Sequence, residues 1–171
     1  MKKAKPKTES FATYEQSPKR IVVLGVGNEL LSDEGVGVHV IREMQKLNLP
    51  PEIEIMEGGT DGFGLINIIT FTDRLVIIDS LKGGNAPGTI YKFNIEEAPK
   101  TLDIFKTSVH QIGILEVIHL SGLIGKTPET TVIGVEPKDI STGMELSKEV
   151  KTKIPKIIDL VLKEIKPTTK T

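Results

Sequence analysis

Acidic side chains follow apolar runs of the sequence, and one histidine lies in a loop before a predicted helix. The block "GNELLSDEGVG" (27–37) follows the run "IVVLGV" and carries the adjacent acids Asp33 and Glu34. Asp79 ends the most apolar run of the chain, and His110 stands in "SVHQIG". Two carboxylates and an imidazole, with open positions left over, suit a borderline divalent cation such as zinc, nickel, copper or iron. A carboxylate could also act as a general base on water.

Other chemistries fit the same residues less well. The stretch "GVGNEL" has Leu30 where a dinucleotide-binding fingerprint requires its third glycine, and the two acids that follow would repel a pyrophosphate. The sequence contains Gly-Lys-Thr at 125–127, but Leu120 stands where the full Gly-x-x-x-x-Gly-Lys-Ser/Thr phosphate loop requires its first glycine. The Gly-x-Ser-x-Gly elbow is absent. Because the chain has no cysteine, disulfides, thiolate metal sites and a cysteine nucleophile are excluded.

Each candidate residue also has a structural interpretation. Asp33 is most simply the N-cap of a helix that begins at residue 34. Glu34, in the first turn of that helix, could merely complement the helix dipole. His110 could cap or pack. Asp79 is harder to explain in this way, because an acid that ends a nearly all-apolar strand is rarely without a role.

Strand patterns alternate with helical patterns along the chain. Apolar or alternating runs predict five strands, at 20–26, 50–57, 73–81, 89–95 and 129–137. Helical spacing predicts helices at 34–47, after Asp61, within 108–125 and at 144–165, the last with a kink at Pro155. No helix separates the third and fourth strands, so they are expected to pair antiparallel. The pattern as a whole predicts an α/β sandwich with a mainly parallel sheet.

In such sheets the functional site lies beyond the carboxyl ends of the strands. The residues expected at that edge are Asn28, Asp33, Glu34, Glu57, Asp79, His110 and Glu136. Three of them, Glu34, Asp79 and His110, come from separate segments that converge there, and they form the candidate metal site. His39 and His119 lie within predicted helices, where packing or surface positions are expected.

Length and composition limit the wider organisation. Residues 1–18 are expected to form a flexible basic tail, and 19–167 a single domain. A net charge of −1 and a pI near 6.3 indicate neither nucleic acid nor a membrane surface as partner. No apolar run approaches the roughly 18 residues of a membrane span, and no apolar segment follows the N-terminal lysines as in a secretory signal. A cytoplasmic protein is therefore expected.

Six segments resemble, in order and spacing, the hydrogenase maturation proteases. They are "LGVGNELLSDEGVG", "EGGTDGFGL", "VIIDSL", "GGNAPGTIYKF", "SVHQIGI" and "VIGVEP". The resemblance extends over about residues 20–165, and the combination of G-x-G-N-x-x-x-x-D-E-G-x-G with S-x-H-x-x-G makes it specific. Proteins of this family are endopeptidases that process the large subunit of NiFe hydrogenases.

The resemblance implies a three-layer α/β sandwich, with a twisted five-stranded sheet flanked by helices. It implies that Glu34, Asp79 and His110 are both the metal-contacting and the catalytic residues. It also implies that nickel is carried by the substrate rather than resident in the enzyme. Glu57 stands where the family commonly has aspartate, and its extra methylene moves the carboxylate outward, which puts its role in doubt.

We therefore expect a nickel-dependent endopeptidase that removes the C-terminal peptide from a NiFe hydrogenase large-subunit precursor after nickel insertion. We expect it to act as a monomer. One alternative is a non-catalytic metal- or precursor-binding chaperone with the same Glu/Asp/His site. Another is a peptidase of related fold whose substrate carries no nickel. The turn "GGT" (58–60) and the loop "KGGNAPG" (82–88) are expected either to line a groove for the precursor tail or to be ordinary turns.

Overall fold

The computed structural model describes residues 19–59, 63–97 and 114–166. Its sheet has five strands, β1 (Ile21–Val26), β2 (Ile53–Gly59), β3 (Arg74–Ser80), β4 (Ile90–Asn94) and β5 (Glu129–Val135). Their order in the sheet is β2-β1-β3-β5-β4. Every neighbouring pair is parallel except β4 and β5, which are antiparallel. The predicted α/β fold with a mainly parallel sheet is confirmed.

The fourth strand has a different neighbour from the one predicted. β4 pairs with β5, whereas the sequence pattern predicted that it would pair with β3. Strand β5 lies between the two, parallel to β3 and antiparallel to β4. The connecting segment 81–89 is long enough to cross the roughly 10 Å between strands two positions apart. The expected antiparallel direction of β4 was therefore right and its partner was wrong.

The described helices are α1 (Val36–Met44), α2 (Ile66–Thr70), α3 (Ile114–Ile124), α4 (Lys148–Lys151) and α5 (Ile154–Glu164). A 3-10 turn, Ser32–Gly35, precedes α1. The predicted helix at 144–165 is instead two helices. Pro155 lies in the first turn of α5, where its missing N–H has no helical partner to lose, so it begins a helix rather than kinking one. Asp61, the predicted cap of the helix that follows β2, lies outside the described residues.

Helices cover both faces of the sheet and bury two apolar clusters. On one face, Val23 of β1 packs with residues of α1 and α5, among them Ile41 and Val161. On the other face, Val22 and Leu24 pack with residues of α2 and α3. Alternate residues of β1 serve opposite faces, as the period of two in a strand requires. The resulting three layers hold the carboxyl ends of β1 and β3 rigidly side by side.

Within the described ranges, no helix combines the length and the hydropathy needed to cross a membrane. Residues 1–18 of the expected tail lie outside those ranges.

Candidate active site

The segment that links β1 to α1 lies directly against the ends of β1 and β3. Gly27 has a φ of +123°, and a Cβ atom at this position would lie 1.9 Å from the carbonyl oxygen of Glu34. A Cβ atom at Gly37 would lie 2.4 Å from the carbonyl oxygen of Ile78. Only glycine permits such approaches. The glycines therefore bring Glu34 to the end of β3, which is a packing role and not the binding of a phosphate.

Glu34 is buried at the carboxyl edge of the sheet. Its side chain is 4% exposed, and its Oε2 atom has no hydrogen-bond partner within the described part of the chain. Burial raises the pKa of the carboxyl group, and the nearby Lys82 ammonium partly offsets that rise. Buried polar atoms are normally hydrogen-bonded. The unpaired carboxylate oxygen is therefore available to a cation or to a hydrogen-bond donor.

Asp79 stands next to it at the end of β3. Its Oδ1 atom accepts a hydrogen bond of 2.8 Å from the backbone N–H of Ser80 and lies 3.6 Å from the Cβ position of Gly27. The residue keeps some accessible surface, but its carboxylate is enclosed. Burial raises the pKa of Asp79 to about 7; the bond from Ser80 lowers it, and the negative charge of Glu34 raises it further. The two acids therefore destabilise each other's charge.

The third predicted donor, His110, lies outside the described residues, so its place beside Glu34 and Asp79 stays a prediction. No group of three or more His, Cys, Asp or Glu side chains that could hold a metal occurs within residues 19–59, 63–97 and 114–166. The two carboxylates that are described do fit a cation. One has an unpaired buried oxygen, and bound positive charge would relieve the repulsion between them.

Asp33 does not cap the helix that follows it, so the predicted N-cap was wrong. Neither the 3-10 turn nor α1 has a side-chain cap at its N-terminus. The carboxylate of Asp33 is fully buried and accepts hydrogen bonds from the segment between β5 and α4. Its donors are the backbone N–H groups of Lys138, Asp139 and Ser147 and the Ser147 hydroxyl. These partners lie more than a hundred residues away in the sequence, so no local pattern indicates them.

Glu57 is held away from the two acids by an arginine. Arg42 of α1 donates to both carboxylate oxygens of Glu57, at 3.0 and 3.2 Å, and forms a second ion pair of 2.6 Å with Glu29. Sequence reasoning gave no role to Arg42, because the pairing depends on how α1 packs beside β2. The carboxylate of Glu57 is thus occupied in a surface ion pair.

Glu136 follows β5 and is buried. Its Oε2 atom accepts hydrogen bonds from the backbone N–H groups of Gly83 and Asn85, at 2.7 and 3.4 Å, and from the Tyr91 hydroxyl. Burial raises the pKa of the Tyr91 hydroxyl, and its hydrogen bond to the Glu136 carboxylate raises that pKa further. Glu136 therefore fixes the 82–88 loop, which carries Lys82 toward Glu34.

The remaining candidates have minor roles. Asn28 accepts a hydrogen bond of 3.0 Å from the backbone N–H of Leu30. His119 is exposed on α3 and His39 is half-buried on α1, as expected.

A groove of about 440 Å³ lies at the ends of β1 and β2. It reaches the two acids through Gly27, whose Cβ position faces the Glu34 carbonyl and Asp79 Oδ1. It is lined by Gly27, Asn28, Glu29, Leu30, Val38, Glu57, Gly58 and Gly59. Gly58 and Gly59 belong to the "GGT" turn that was expected to line a groove for the precursor tail. Leu30 is 55% exposed there, so the groove offers an apolar contact as well as charge.

Comparison with known proteins identifies the family of this chain. The family model described as hydrogenase maturation protease (HycI) matches residues 38–164. The chain belongs to the hydrogenase maturation proteases. It is therefore an endopeptidase by family, as its resemblance to these enzymes implied.

Individual members of the family match over most of their length. The Hydrogenase 2 maturation protease of Escherichia coli K12 is 37% identical over 146 residues, which cover 84% of this chain and 88% of the relative. The hydrogenase expression/formation protein HupD of Bradyrhizobium diazoefficiens is 38% identical over 144 residues, covering 82% of this chain and 75% of the relative.

Solved structures in the family share the fold. The hydrogenase maturating endopeptidase HybD from E. coli superposes with a TM-score of 0.78 at 35% identity, covering 85% of this chain and 91% of its own. The NiFe hydrogenase maturation protease HybD from Thermococcus kodakarensis gives 0.71 at 30% identity, covering 86% and 99%. These matches confirm the predicted three-layer fold with its five-stranded sheet.

Proposed function

We propose that this protease removes the C-terminal peptide from the large-subunit precursor of a NiFe hydrogenase once nickel has been inserted. Family membership supports the reaction class. The observation that supports the site is the buried, unpaired Oε2 atom of Glu34 beside the enclosed carboxylate of Asp79. We assign nickel contact to Glu34, Asp79 and His110, with the nickel carried by the precursor and not resident in the enzyme.

The charges of this site would make it selective for a nickel-loaded precursor. Without a cation, Glu34 and Asp79 repel each other in an enclosed environment. Nickel held by the precursor would neutralise that repulsion and supply the missing partner of Glu34. A precursor without nickel would leave the two carboxylates repelling each other and the Glu34 oxygen without a partner. Docking would thus test whether nickel has been inserted before the peptide bond is cut.

The hydrolysis itself can draw on Asp79. In the empty site burial raises the pKa of Asp79 to about 7; nickel bound beside it would lower that pKa and keep the carboxylate ionised, which is the form a general base requires. The ionised carboxylate can accept the proton of an attacking water, and the protonated acid can return it to the leaving amine. Substrate-borne nickel supplies charge stabilisation or polarises the scissile carbonyl. The groove beside the site would hold the precursor tail in an extended form.

The test is the intact mass of a large-subunit precursor before and after incubation with the enzyme. Nickel-loaded and nickel-free precursors are compared in parallel. We expect loss of a C-terminal peptide from the loaded form alone. Cleavage of both forms would keep the peptidase and refute nickel recognition. Stable complex formation without any cleavage would instead favour a precursor-binding chaperone.

Substitutions test the residue assignments in the same assay. Glu34→Gln, Asp79→Asn and His110→Ala are each expected to reduce processing by at least about 100-fold, the scale of losing a catalytic general base or a charge-stabilising group. Glu54→Gln is the matched control, since this exposed glutamate pairs with Arg20 and does not line the groove. Full activity in the first three variants would refute the site.

A further inference from the structure

The connection between β5 and α4 forms a strap against the segment that carries Glu34. This strap comprises residues 137–147. Its backbone makes three direct bonds to that segment: Ser32 N–H to the Gly143 carbonyl at 2.6 Å, Asp33 N–H to the Asp139 carbonyl at 3.0 Å, and Gly143 N–H to the Leu30 carbonyl at 2.9 Å. The strap therefore supports the backbone immediately before Glu34, the first acid of the candidate site.

Asp33 supplies the side-chain half of this contact. Its Oδ1 atom accepts a bond of 2.7 Å from the Ser147 N–H. Its Oδ2 atom accepts three bonds, from the N–H groups of Lys138 and Asp139 at 2.9 and 3.0 Å and from the Ser147 hydroxyl at 2.8 Å. Every partner of the two oxygens is a hydrogen-bond donor. Both oxygens therefore act as acceptors, as they do in an ionised carboxylate. The Asp33 carboxylate thus organises the strap by binding donors from both of its ends.

The backbone at this point needs such support. Ser32 has a φ of +47°, a conformation that residues other than glycine rarely adopt. Its N–H and its hydroxyl both donate to the strap, the hydroxyl to the Ser141 carbonyl at 3.1 Å. Strained backbone of this kind persists only where surrounding contacts over-determine it.

Glu34 has no comparable anchor for its own side chain. Its Oε2 atom has no hydrogen bond to any of the residues that the structure describes. Its orientation must then come from its backbone, which is held on one side by contact with Gly27 and on the other by Asp33. Any loosening at Asp33 would be transmitted directly to the next residue.

We propose that Asp33 is a positioning residue for processing: by binding the strap, it fixes the orientation of Glu34 toward the nickel-loaded precursor. This inference rests on the proposed function, because it gives Asp33 a role through Glu34. Asp33 itself is enclosed by the strap and touches neither substrate nor nickel.

The decisive variant is Asp33→Asn, which has the same shape. One oxygen of the carboxylate becomes an NH2 group that faces a donor, so at least one bond is lost and replaced by repulsion. We expect kcat on the nickel-loaded precursor to fall at least about 10-fold per folded molecule, since small misplacements of a reacting group have effects of this size. We expect KM for the nickel-loaded precursor to rise as well, because the nickel contact of Glu34 contributes to docking, whereas binding of the nickel-free precursor, which relies on the groove, should change less than about twofold.

Ser147 provides a graded pair of variants. Ser147→Ala removes one donor to Asp33 and leaves the three backbone donors, so a smaller fall in kcat is expected. Ser147→Thr keeps the hydroxyl and should restore kcat toward the unsubstituted enzyme. This pair remains informative if Asp33→Asn does not fold.

Val161→Ala controls for loss of stability alone. Val161 is buried on α5 and forms none of the hydrogen bonds between the strap and Asp33. All variants are assayed well below their unfolding midpoints. A fall in kcat for Val161→Ala equal to that for Asp33→Asn would overturn the proposal, as would unchanged kcat in Asp33→Asn and Ser147→Ala. Full activity of Glu34→Gln would refute the site itself, which distinguishes failure of the proposed function from failure of this inference.

Discussion

Replacing Asp79 by asparagine is expected to stabilise the folded protein at neutral pH while abolishing processing. The carboxylate is enclosed at the end of β3 and feels the negative charge of Glu34. Asparagine has nearly the same shape and keeps an oxygen that can accept the bond from the Ser80 N–H. It carries no charge to desolvate or to repel. The catalytic role that we propose for Asp79 therefore comes at the expense of the stability of the fold.

The size of the effect follows from the pKa. It stands at about 7 in the folded protein against an ordinary value of 3.8, and each pKa unit corresponds to about 1.4 kcal/mol. The upper limit of the destabilisation is therefore about 4 kcal/mol. Because some of the residue remains accessible to water, we expect about 1–3 kcal/mol.

The sign of the pH dependence is fixed by proton binding. Below about pH 4, Asp79 is protonated in both the folded and the unfolded chain and contributes no difference. Between pH 4 and 7 the folded protein retains a proton that the unfolded chain releases, so the free energy of unfolding falls as the pH rises. The advantage of Asp79→Asn should grow over this window and be constant above it.

The assay is urea unfolding at pH 4.5 and at pH 8, with Asp159→Asn as the control. Asp159 is exposed on α5, so its replacement should change the free energy of unfolding by less than about 0.5 kcal/mol. Equal effects of Asp79→Asn at both pH values, or a loss of stability at pH 8, would refute the reasoning.

Two further predictions concern the framework of the site. Gly27→Ala should lower the free energy of unfolding by more than about 3 kcal/mol and abolish processing, because its Cβ atom would lie 1.9 Å from the Glu34 carbonyl. Gly59→Ala is the control, because a Cβ atom there meets no atom within 4 Å. It should lower the free energy of unfolding by only about 1 kcal/mol in the same urea titration. Glu136→Ala should lower the free energy of unfolding by about 2–4 kcal/mol, since it leaves three donors without their acceptor. Glu136→Gln keeps an acceptor oxygen and should lose about half as much, and equal losses in the two variants would contradict the hydrogen-bond account.

Much of the fold could be predicted because its signals are local. The apolar runs of β1 and β3 and the apolar stripe of α5 depend only on the period of burial in a strand or a helix. Strand neighbours are not local properties. β4 follows β3 without an intervening helix, yet β5 occupies the place between them. The sequence gives the direction of such a strand more readily than its partner.

The residues of the candidate site differ in the same way: some follow from local sequence signals and others depend on the tertiary fold. Glu34 and Asp79 could be selected because Asp79 lies at the end of β3 and Glu34 in the segment that follows β1, at the edge where parallel sheets place their sites. The role of Asp33 could not, since its four donors lie between residues 138 and 147. The ion pair of Arg42 and Glu57 likewise joins two elements that only the tertiary fold brings together.

The place of β4 has a consequence for the order in which the chain can fold during synthesis. The ribosome completes β4 at residue 94, but its pairing strand, β5, ends at residue 135. The nascent chain must therefore leave one strand edge of the growing sheet unprotected for about forty further residues, the kind of edge that invites intermolecular pairing. Glu136 emerges directly after β5 and joins its end to the loop that precedes β4. Strand β5 is the last to enter the sheet, and its insertion completes both the sheet and the edge that carries the candidate site.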